Sequence, residues 1–350
     1  MGMSENFEKT DILSLSYDEL CAFVKDTLGQ PKFRATQISE WLARAVDFDG
    51  MSNLPASLRE RLSDLAELRY PKIERKYVSK LDGTVKYLFR LVDGQLIEGV
   101  VMKYEHGYSM CISSEAGCPM GCRFCASTIG GKVRDLTPSE MLGQIAVADR
   151  DLSIRISNVV MMGVGEPLDN YANVIKFLRI VSSEHSLCIG LRHISLSTCG
   201  LVDKIYLLAD EGLPITLSIS LHASNDADRS AIMPVNNKWN IDSLLNACRD
   251  YFDKTGRRIS FEYTLIAGQN DSPTKAIELA ALLHRYMGER PLHVNLIPVN
   301  PVAERDFESS GRAAVDKFCA VLISKGINAT VRRKLGADID ASCGQLRHKG

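Results

Sequence analysis

The 350-residue chain carries almost no net charge: 42 Lys and Arg stand against 43 Asp and Glu. That balance excludes a bulk polycation, so any surface for nucleic acid must be a local basic patch. Apolar runs are short. None reaches the roughly 18 residues that a membrane-spanning helix requires, and no membrane partner is expected. The opening stretch MGMSENFEKTD is polar and acidic, without a basic segment followed by an apolar core, which argues against a secretory leader. Internal repeats and low-complexity tracts are also missing. What remains is an ordinary globular composition, 45% hydrophobic, long enough for one large domain or one plus a small accessory module.

Cysteine, by contrast, is plentiful, with ten residues. Without an export signal they fit a reducing cytosol, where metal binding or catalysis is commoner than a disulfide framework. The expected location is therefore cytoplasmic.

Two patterns succeed one another along the chain. SYDELCAFVKDTL, from Ser16 to Leu28, opens on a Ser cap and carries apolar residues at helical spacing. RATQISEWLARAV and PASLRERLSDLAEL repeat that pattern, with Gly and Pro between them. From Lys76 the sequence alternates, is rich in Val, Tyr and Leu, and carries turns at Asp82-Gly83 and Asp93-Gly94, which predicts a β-meander. From about residue 108 strand-like runs (YSMCIS, NVVMMG, RHISLST, ITLSISLHA, RISFEYTLI, LHVNLIPVN, NATVRRK) alternate with amphipathic stretches such as PSEMLGQIAVADR, YANVIKFLRIVSSE and PTKAIELAALLHRYM. Such alternation predicts an α/β fold with parallel strands and crossover helices. Periodicity alone leaves open whether the sheet closes.

Four cysteines fall between Cys111 and Cys125, three of them spaced CxxxCxxC at Cys118, Cys122 and Cys125. Clustered thiolates select zinc or iron–sulfur. A structural zinc site takes four protein ligands, so the zinc reading needs Cys111 or a distant Cys as the fourth. A four-iron cluster held by three cysteines instead keeps one iron free for a small molecule. The loop's Gly117, Pro119 and Gly121 suit wrapping around such a group.

The CxxxCxxC loop ahead of a β/α domain resembles the radical S-adenosylmethionine (SAM) superfamily. CISSEAGCPMGCRFCAS, MMGVGEPLDN, SLSTCG, SISLHA, MPVNNKWNI, HVNLIPVNP and DIDASCGQL, in that order, narrow the resemblance to its RlmN/Cfr group, from about Lys32 to Leu346. The resemblance implies a partial (β/α) TIM-like barrel with a small helical N-terminal accessory domain and a β-ribbon linker. The corresponding divisions are 1–75, 76–103, a core at 104–335 and a tail at 336–350. It implies one [4Fe–4S] cluster on Cys118, Cys122 and Cys125, with SAM bound at the open iron and cleaved by an electron to a 5′-deoxyadenosyl radical. An external donor such as flavodoxin or ferredoxin would supply that electron.

In the group, a ring carbon of adenosine in RNA is methylated through a cysteine that is itself first methylated. The matching residue is Cys343, with Cys111 as its partner in a transient disulfide and Glu98 at the position of the proton acceptor. Between Glu98 and Cys111 the choice of base stays open. Gly165, Glu166, Ser197, Ser220, Leu221, His222 and Asn300 match SAM contacts. The implied targets are 23S rRNA at the peptidyl-transferase centre and the adenosine 3′ of the anticodon in tRNA, both at carbon 2. GEPL resembles the carbon-2 branch, whereas the carbon-8 branch tends towards GEAL. For the phosphates, Lys132, Arg134 and Arg332 to Lys334 are the candidates, together with basic residues of the N-terminal module.

Each of these residues also has an ordinary explanation. Ser and Asn at strand ends are commonly turn residues, a lone His is commonly structural, and surface cations commonly face solvent. Cys21, Cys188, Cys248 and Cys319 lie on apolar patterns and are expected in the core, and Cys199 is expected to be structural. Two other functions stay open: another radical-SAM enzyme, such as a peptide modifier or an activase, and a zinc-stabilised RNA-binding protein without catalysis. The first has no use for Cys111 and Cys343 together, and the second would lack the brown colour of an iron–sulfur cluster.

Overall fold

Ser16 begins the first helix with a reciprocal cap: its Oγ accepts from the Glu19 N–H, and the Glu19 carboxylate accepts from the Ser16 N–H at 2.7 Å. The computed structural model describes residues 9–346. Its N-terminal module holds β1 (Thr10–Asp11), α1 (Tyr17–Ala22, continued by a π-helical stretch), α2 (Phe33–Leu42), α3 (Ala56–Leu65) and β2 (Ala66–Glu67), which pairs in parallel with β1. Val24, Leu28, Ala35, Ile38, Met51 and Leu62 form a separate small core here.

The meander comes next as β3 (Lys72–Val78), β4 (Val85–Arg90), β5 (Leu96–Tyr104) and β6 (Gly107–Cys111). Both predicted Asp-Gly turns fall between its strands, with Gly83 and Gly94 at φ +74° and +86°. The meander is not separate from the main sheet. β6 pairs antiparallel with β5 on one side and parallel with the next core strand on the other.

A short hairpin, β7 (Glu115–Gly117) with β8 (Lys132–Asp135), stands outside the main sheet. Then come α4 (Pro138–Leu152), β9 (Ile156–Met161), α5 (Tyr171–Val181), β10 (Ile194–Thr198), α6 (Val202–Asp210), β11 (Thr216–Ser220), α7 (Asp226–Ile232) and α8 (Ile241–Thr255). β12 (Ile259–Leu265), α9 (Pro273–Met287), β13 (Leu292–Pro298), α10 (Arg312–Ser324) and β14 (Ala329–Val331) complete the strands and α-helices of the described residues. The ten-stranded sheet runs β14-β13-β12-β11-β10-β9-β6-β5-β4-β3. From β6 to β14 every neighbour is parallel, so the C-terminal strand ends share one rim, where such folds collect ligand groups.

All seven strand-like runs are strands. The hairpin and helices α6 and α7 are additions to what periodicity shows. α6 carries a buried stripe of Val202, Ile205, Leu208 and Ala209 but is only nine residues with no side-chain cap, and α7 is seven residues with a polar start and a fully buried Arg229, so both are short for a periodic reading.

The edge strands β3 and β14 are not paired with each other, and the sheet remains a partial barrel. The tail spans that opening. Gly336 N–H donates to Asp82 at 2.9 Å, Ser79 Oγ to Asp338 at 2.6 Å, and Lys86 Nζ to the Asp340 carbonyl at 3.1 Å.

One expectation about the core is corrected. Cys248 is fully buried and Cys21 and Cys319 partly so, but Cys188 is exposed. α5 ends at Val181, and Cys188 sits in the following loop at φ +53°, outside the apolar stripe of the helix.

Candidate active site

The hairpin β7–β8 carries the CxxxCxxC loop. At its base Gly117 has φ +79°, and an added Cβ would lie 2.0 Å from the Gly131 carbonyl, so only glycine closes this turn. Thr128 Oγ1 donates to the Cys122 and Cys125 carbonyls at 3.1 and 3.0 Å, folding the loop back on itself. Cys118, Cys122 and Cys125 line a cavity together with Gly165, Glu166, Ser197, Cys199, Ser220 and His222. Elements distant in sequence are thus brought to one rim.

The donor set favours a cluster over a single ion. A zinc ion at about 2.3 Å from each sulfur would hold neighbouring thiolates about 4 Å apart. Among the described residues the only metal-sized group of ligand atoms within 4.8 Å is Glu115, Asp135 and Asp169, not the three cysteines. The three sulfurs do not all fall within 4.8 Å of one another. Burial pushes the Cys122 thiol up to about 12 and raises Cys118 and Cys125 too, so a bound cationic group is what would hold them as thiolates. The acidic trio is already filled: Lys132 Nζ lies 2.8, 2.7 and 2.6 Å from Glu115, Asp135 and Asp169.

The GVGEP loop leaves β9 and is fixed from both sides. Glu166 N–H donates to the fully buried Glu115 carboxylate at 2.8 Å. Its own carboxylate accepts from the Leu168 and Cys199 N–H groups at 3.0 and 2.7 Å, and burial raises it above the usual carboxylate range. Cys199, expected to be merely structural, therefore orients Glu166 through its backbone while its side chain borders the cavity.

Ser197 and Ser220 stand on β10 and β11, near or at their C-terminal ends. His222, at φ +57°, accepts at Nδ1 from the Thr264 N–H at 2.9 Å and meets the Phe124 ring edge-on. Burial, then Arg229 and Arg332, push His222 down to about 3, so the ring is neutral. Leu221 differs from its neighbours. Its side chain is fully buried in the main core, and only its backbone takes part, accepting from Arg229 Nε at 3.1 Å. Asn300 lines an adjoining cavity and donates to the Cys343 carbonyl at 3.0 Å.

Cys343 borders both cavities. In the second it is joined by Cys111, Tyr104, Met162 and the Arg332–Lys334 run. Burial foremost, and Cys343 next, push the Cys111 thiol up to about 12. Glu98 lines neither cavity. It is buried on β5, 3.3 Å from Lys86 Nζ, which also reaches the tail through Asp340.

Two residues that sequence reading passed over organise this rim. Arg229, fully buried on α7, donates to the carbonyls of Cys199, Ser220 and Leu221 at 2.6, 3.1 and 3.1 Å, joining the ends of β10 and β11. Glu262 on β12 is buried and borders the cluster cavity. For Glu262 the sequence hint is a charged residue inside the apolar run RISFEYTLI; Arg229, among polar neighbours, gives none. Among the phosphate candidates, Lys132 is held by three carboxylates and Arg134 by Asp93 and both oxygens of Glu140. Arg332 points inward, and Arg333 and Lys334 are exposed. The first three are therefore corrected as free phosphate contacts, because their charges are already paired.

Comparison with known proteins places this geometry. Residues 112–280 match the family model of the radical SAM superfamily, and residues 10–68 match that of the ribosomal RNA large subunit methyltransferase N-terminal domain. A probable dual-specificity RNA methyltransferase RlmN of Clostridium botulinum is 52% identical over 96% of this chain and 96% of its own. Another so described, from Lachnoclostridium phytofermentans, is 51% identical over 97% and 95%. A crystal structure of a radical SAM methyltransferase from Sphaerobacter thermophilus superposes with a TM-score of 0.92 at 42% identity, covering 97% of this chain and 99% of that one. With identity this high from end to end and the cysteine loop on the rim of a parallel sheet, the chain belongs to the RlmN family of radical SAM RNA methyltransferases.

Proposed function

We propose that the protein methylates carbon 2 of adenosine in 23S rRNA and in tRNA, 3′ of the anticodon, with Cys343 as methyl carrier and Cys111 as its disulfide partner. Cys118, Cys122 and Cys125 would hold a [4Fe–4S] cluster, which supplies the electron that opens SAM to a 5′-deoxyadenosyl radical. The names of the relatives and the match to an rRNA methyltransferase N-terminal domain support RNA as the substrate. Flavodoxin or ferredoxin would serve as donor, in the cytoplasm. The proposed division is 1–75, 76–103, 104–335 and 336–350; β3 begins at Lys72 and β5 ends at Tyr104, so the meander runs past both of its bounds and joins the core sheet.

The observation that carries this reading is the position of Cys343, a wall shared by the cavity of the three clustered thiols and the cavity of Cys111. A residue so placed can face a methyl donor on one side and an unstacked base on the other, which base-modifying enzymes require. Gly165, Glu166, Ser197, Ser220 and His222 would line the SAM side, with Leu221 acting through its backbone and Asn300 holding the carrier's carbonyl. Glu98 sits under the tail rather than in either cavity, so Cys111 is the better placed proton acceptor. GEPL favours carbon 2 over carbon 8.

Mass spectrometry of nucleosides from an rRNA fragment, incubated with cluster-loaded protein, SAM and reductant, tests the proposal. The expected product is 2-methyladenosine. An 8-methyl product transfers the protein to the other branch, and unmodified adenosine with an intact cluster overturns the reading. Cys343→Ala should abolish product while leaving the cluster's absorbance unchanged.

A further inference from the structure

Arg332 comes directly after the edge strand β14 and opens a run of three cations, yet its guanidinium does not face solvent. Nη1 donates to Cys343 Sγ at 2.9 Å, and Nη2 pairs with Glu262 Oε2 at 3.2 Å. Both terminal nitrogens lie 3.4 Å from Met162 Sδ. Glu262 is itself fixed, accepting from Asn295 Nδ2 at 2.7 Å and from Ser260 Oγ at 3.2 Å. A buried, anchored carboxylate thus aims one end of the fork, and the other end meets the sulfur. Only a planar, two-ended cation makes both contacts at once.

We infer that Arg332 is the group that positions Cys343 for attack, holding its sulfur turned towards the methyl donor and standing ready to pair with the anion as the thiol proton leaves. The inference rests on the reading of Cys343 as methyl carrier. A thiolate, not a thiol, is the nucleophile, and a hydrogen bond from a guanidinium is strongest to an ionised acceptor. In the transfer, the Cys343 sulfur forms a bond to the methyl carbon and the bond from that carbon to the SAM sulfonium breaks. The electron pair leaves with the departing sulfur as S-adenosylhomocysteine, and the thiol proton has already gone to solvent. Anion and sulfonium both become neutral.

The site also accommodates the methylated residue. Methylated Cys343 is a thioether, and Arg332 already lies against one thioether, that of Met162. The loss of charge on Cys343 removes the strongest of the cation's contacts to sulfur and leaves the Glu262 pair intact. Burial alone would disfavour the charged guanidinium, but Cys343 and Glu262 outweigh it and hold Arg332 firmly protonated.

The test compares cluster-loaded wild type with Arg332→Gln and Arg332→Lys, without SAM. Peptide mass spectrometry tracks alkylation of Cys343 by iodoacetamide at neutral pH, an uncharged reagent that the guanidinium does not attract, with exposed Cys188 as internal control. In R332Q the Cys343 rate is expected to fall at least about tenfold, because the departing anion loses its paired cation, with R332K intermediate and Cys188 unchanged. A second readout is the methyl group acquired by Cys343 on adding SAM, expected to fall in parallel. Equal Cys343 alkylation in wild type and R332Q overturns the inference. If alkylation slows in R332Q but wild-type Cys343 never acquires a methyl group, the charge pairing stands and the carrier reading falls. Should R332Q not retain its cluster, R332K decides alone: a wild-type alkylation rate there overturns the role of the fork.

Discussion

Asp338 in the tail and Ser79 at the end of the first meander strand share a hydrogen bond of 2.6 Å across 259 residues of sequence. The same carboxylate accepts from the Lys80 N–H at 2.9 Å. Positive φ at Gly336 and Asp340, +62° and +50°, turns the chain so that the next residues run over the cavity mouth. There Gly344 accepts from the Ala126 N–H at 2.8 Å and Leu346 from Ser127 Oγ at 2.7 Å, fastening the tail to the cluster loop. Asp338→Ala should therefore loosen the tail without unfolding the core. Trypsin is expected to cut at Arg333 and Lys334 several-fold faster, RNA methylation to fall several-fold, and the melting temperature to hold. Unchanged proteolysis would show that the Asp82 and Lys86 bonds to Gly336 and Asp340, with the far end, hold the tail without Asp338.

Arg229 is the second anchor, because its guanidinium fills a place that no apolar side chain can. Arg229→Met would strand the carbonyls of Cys199, Ser220 and Leu221 and the Asn236 side chain inside the protein. Each buried acceptor left unpaired costs about 1–3 kcal/mol, partly relieved by relaxation, so a loss of about 4 kcal/mol is expected in urea unfolding. A change below about 1 kcal/mol would mean that water replaces the guanidinium fully.

How far the fold could be read from sequence depended on the range of the interaction. Alternation and helical spacing are local, and they located all seven parallel strands and the longer helices. Ser16 caps its helix through Glu19, three residues on, which sequence also shows, and Thr137 and Asn240 cap theirs by the same local geometry. The cysteine spacing is likewise local, whereas the GVGEP, SLST and SLH segments stood out only through their resemblance to the family, since Ser and His at strand ends are commonly structural. The direction of Arg332 was not legible, since RRK after a strand reads as surface charge until β14 is placed beside β13 and Glu262 comes within reach. Nor was the placement of Glu98 away from both cavities, where it pairs with Lys86 under a tail from the far end of the chain. Cys188 failed in the opposite way: an apolar stripe continued on paper past the point where α5 stops.

His222 gives stability a defined dependence on pH. Its folded value of about 3 lies below the ordinary 6.5, so the unfolded chain binds the proton more readily. The stabilisation is complete above about pH 6.5 and declines as pH falls towards about 3, by about 1.4 kcal/mol per unit at most, or about 2 kcal/mol by pH 5. Urea unfolding of wild type and His222→Asn at both ends of that range isolates the contribution, since Asn tolerates the positive φ. The difference between the two proteins should shrink on acidification. A constant difference would mean that His222 is solvated in the folded protein.

Gly165 packs against Glu115 where the GVGEP loop meets β7. At φ +110°, an added Cβ would come within 2.7–2.8 Å of Glu115 Cβ, Cγ and backbone N. Neither a side chain stem nor a backbone atom yields cheaply, and alanine is strained at that φ, so Gly165→Ala should cost about 2–4 kcal/mol. The displacement falls on the Glu115–Glu166 hydrogen bond, which sets the GVGEP loop, and not on the CxxxCxxC segment between Gly117 and Lys132. Iron content after reconstitution should therefore match wild type while SAM affinity, by equilibrium dialysis, drops at least about tenfold, equivalent to about 1.4 kcal/mol. Equal SAM affinity with equal iron would remove the GVGEP loop from the cofactor site. Loss of iron together with SAM would mean instead that the two loops fold as one unit through Glu115, whose ion pair to Lys132 reaches the base of the hairpin.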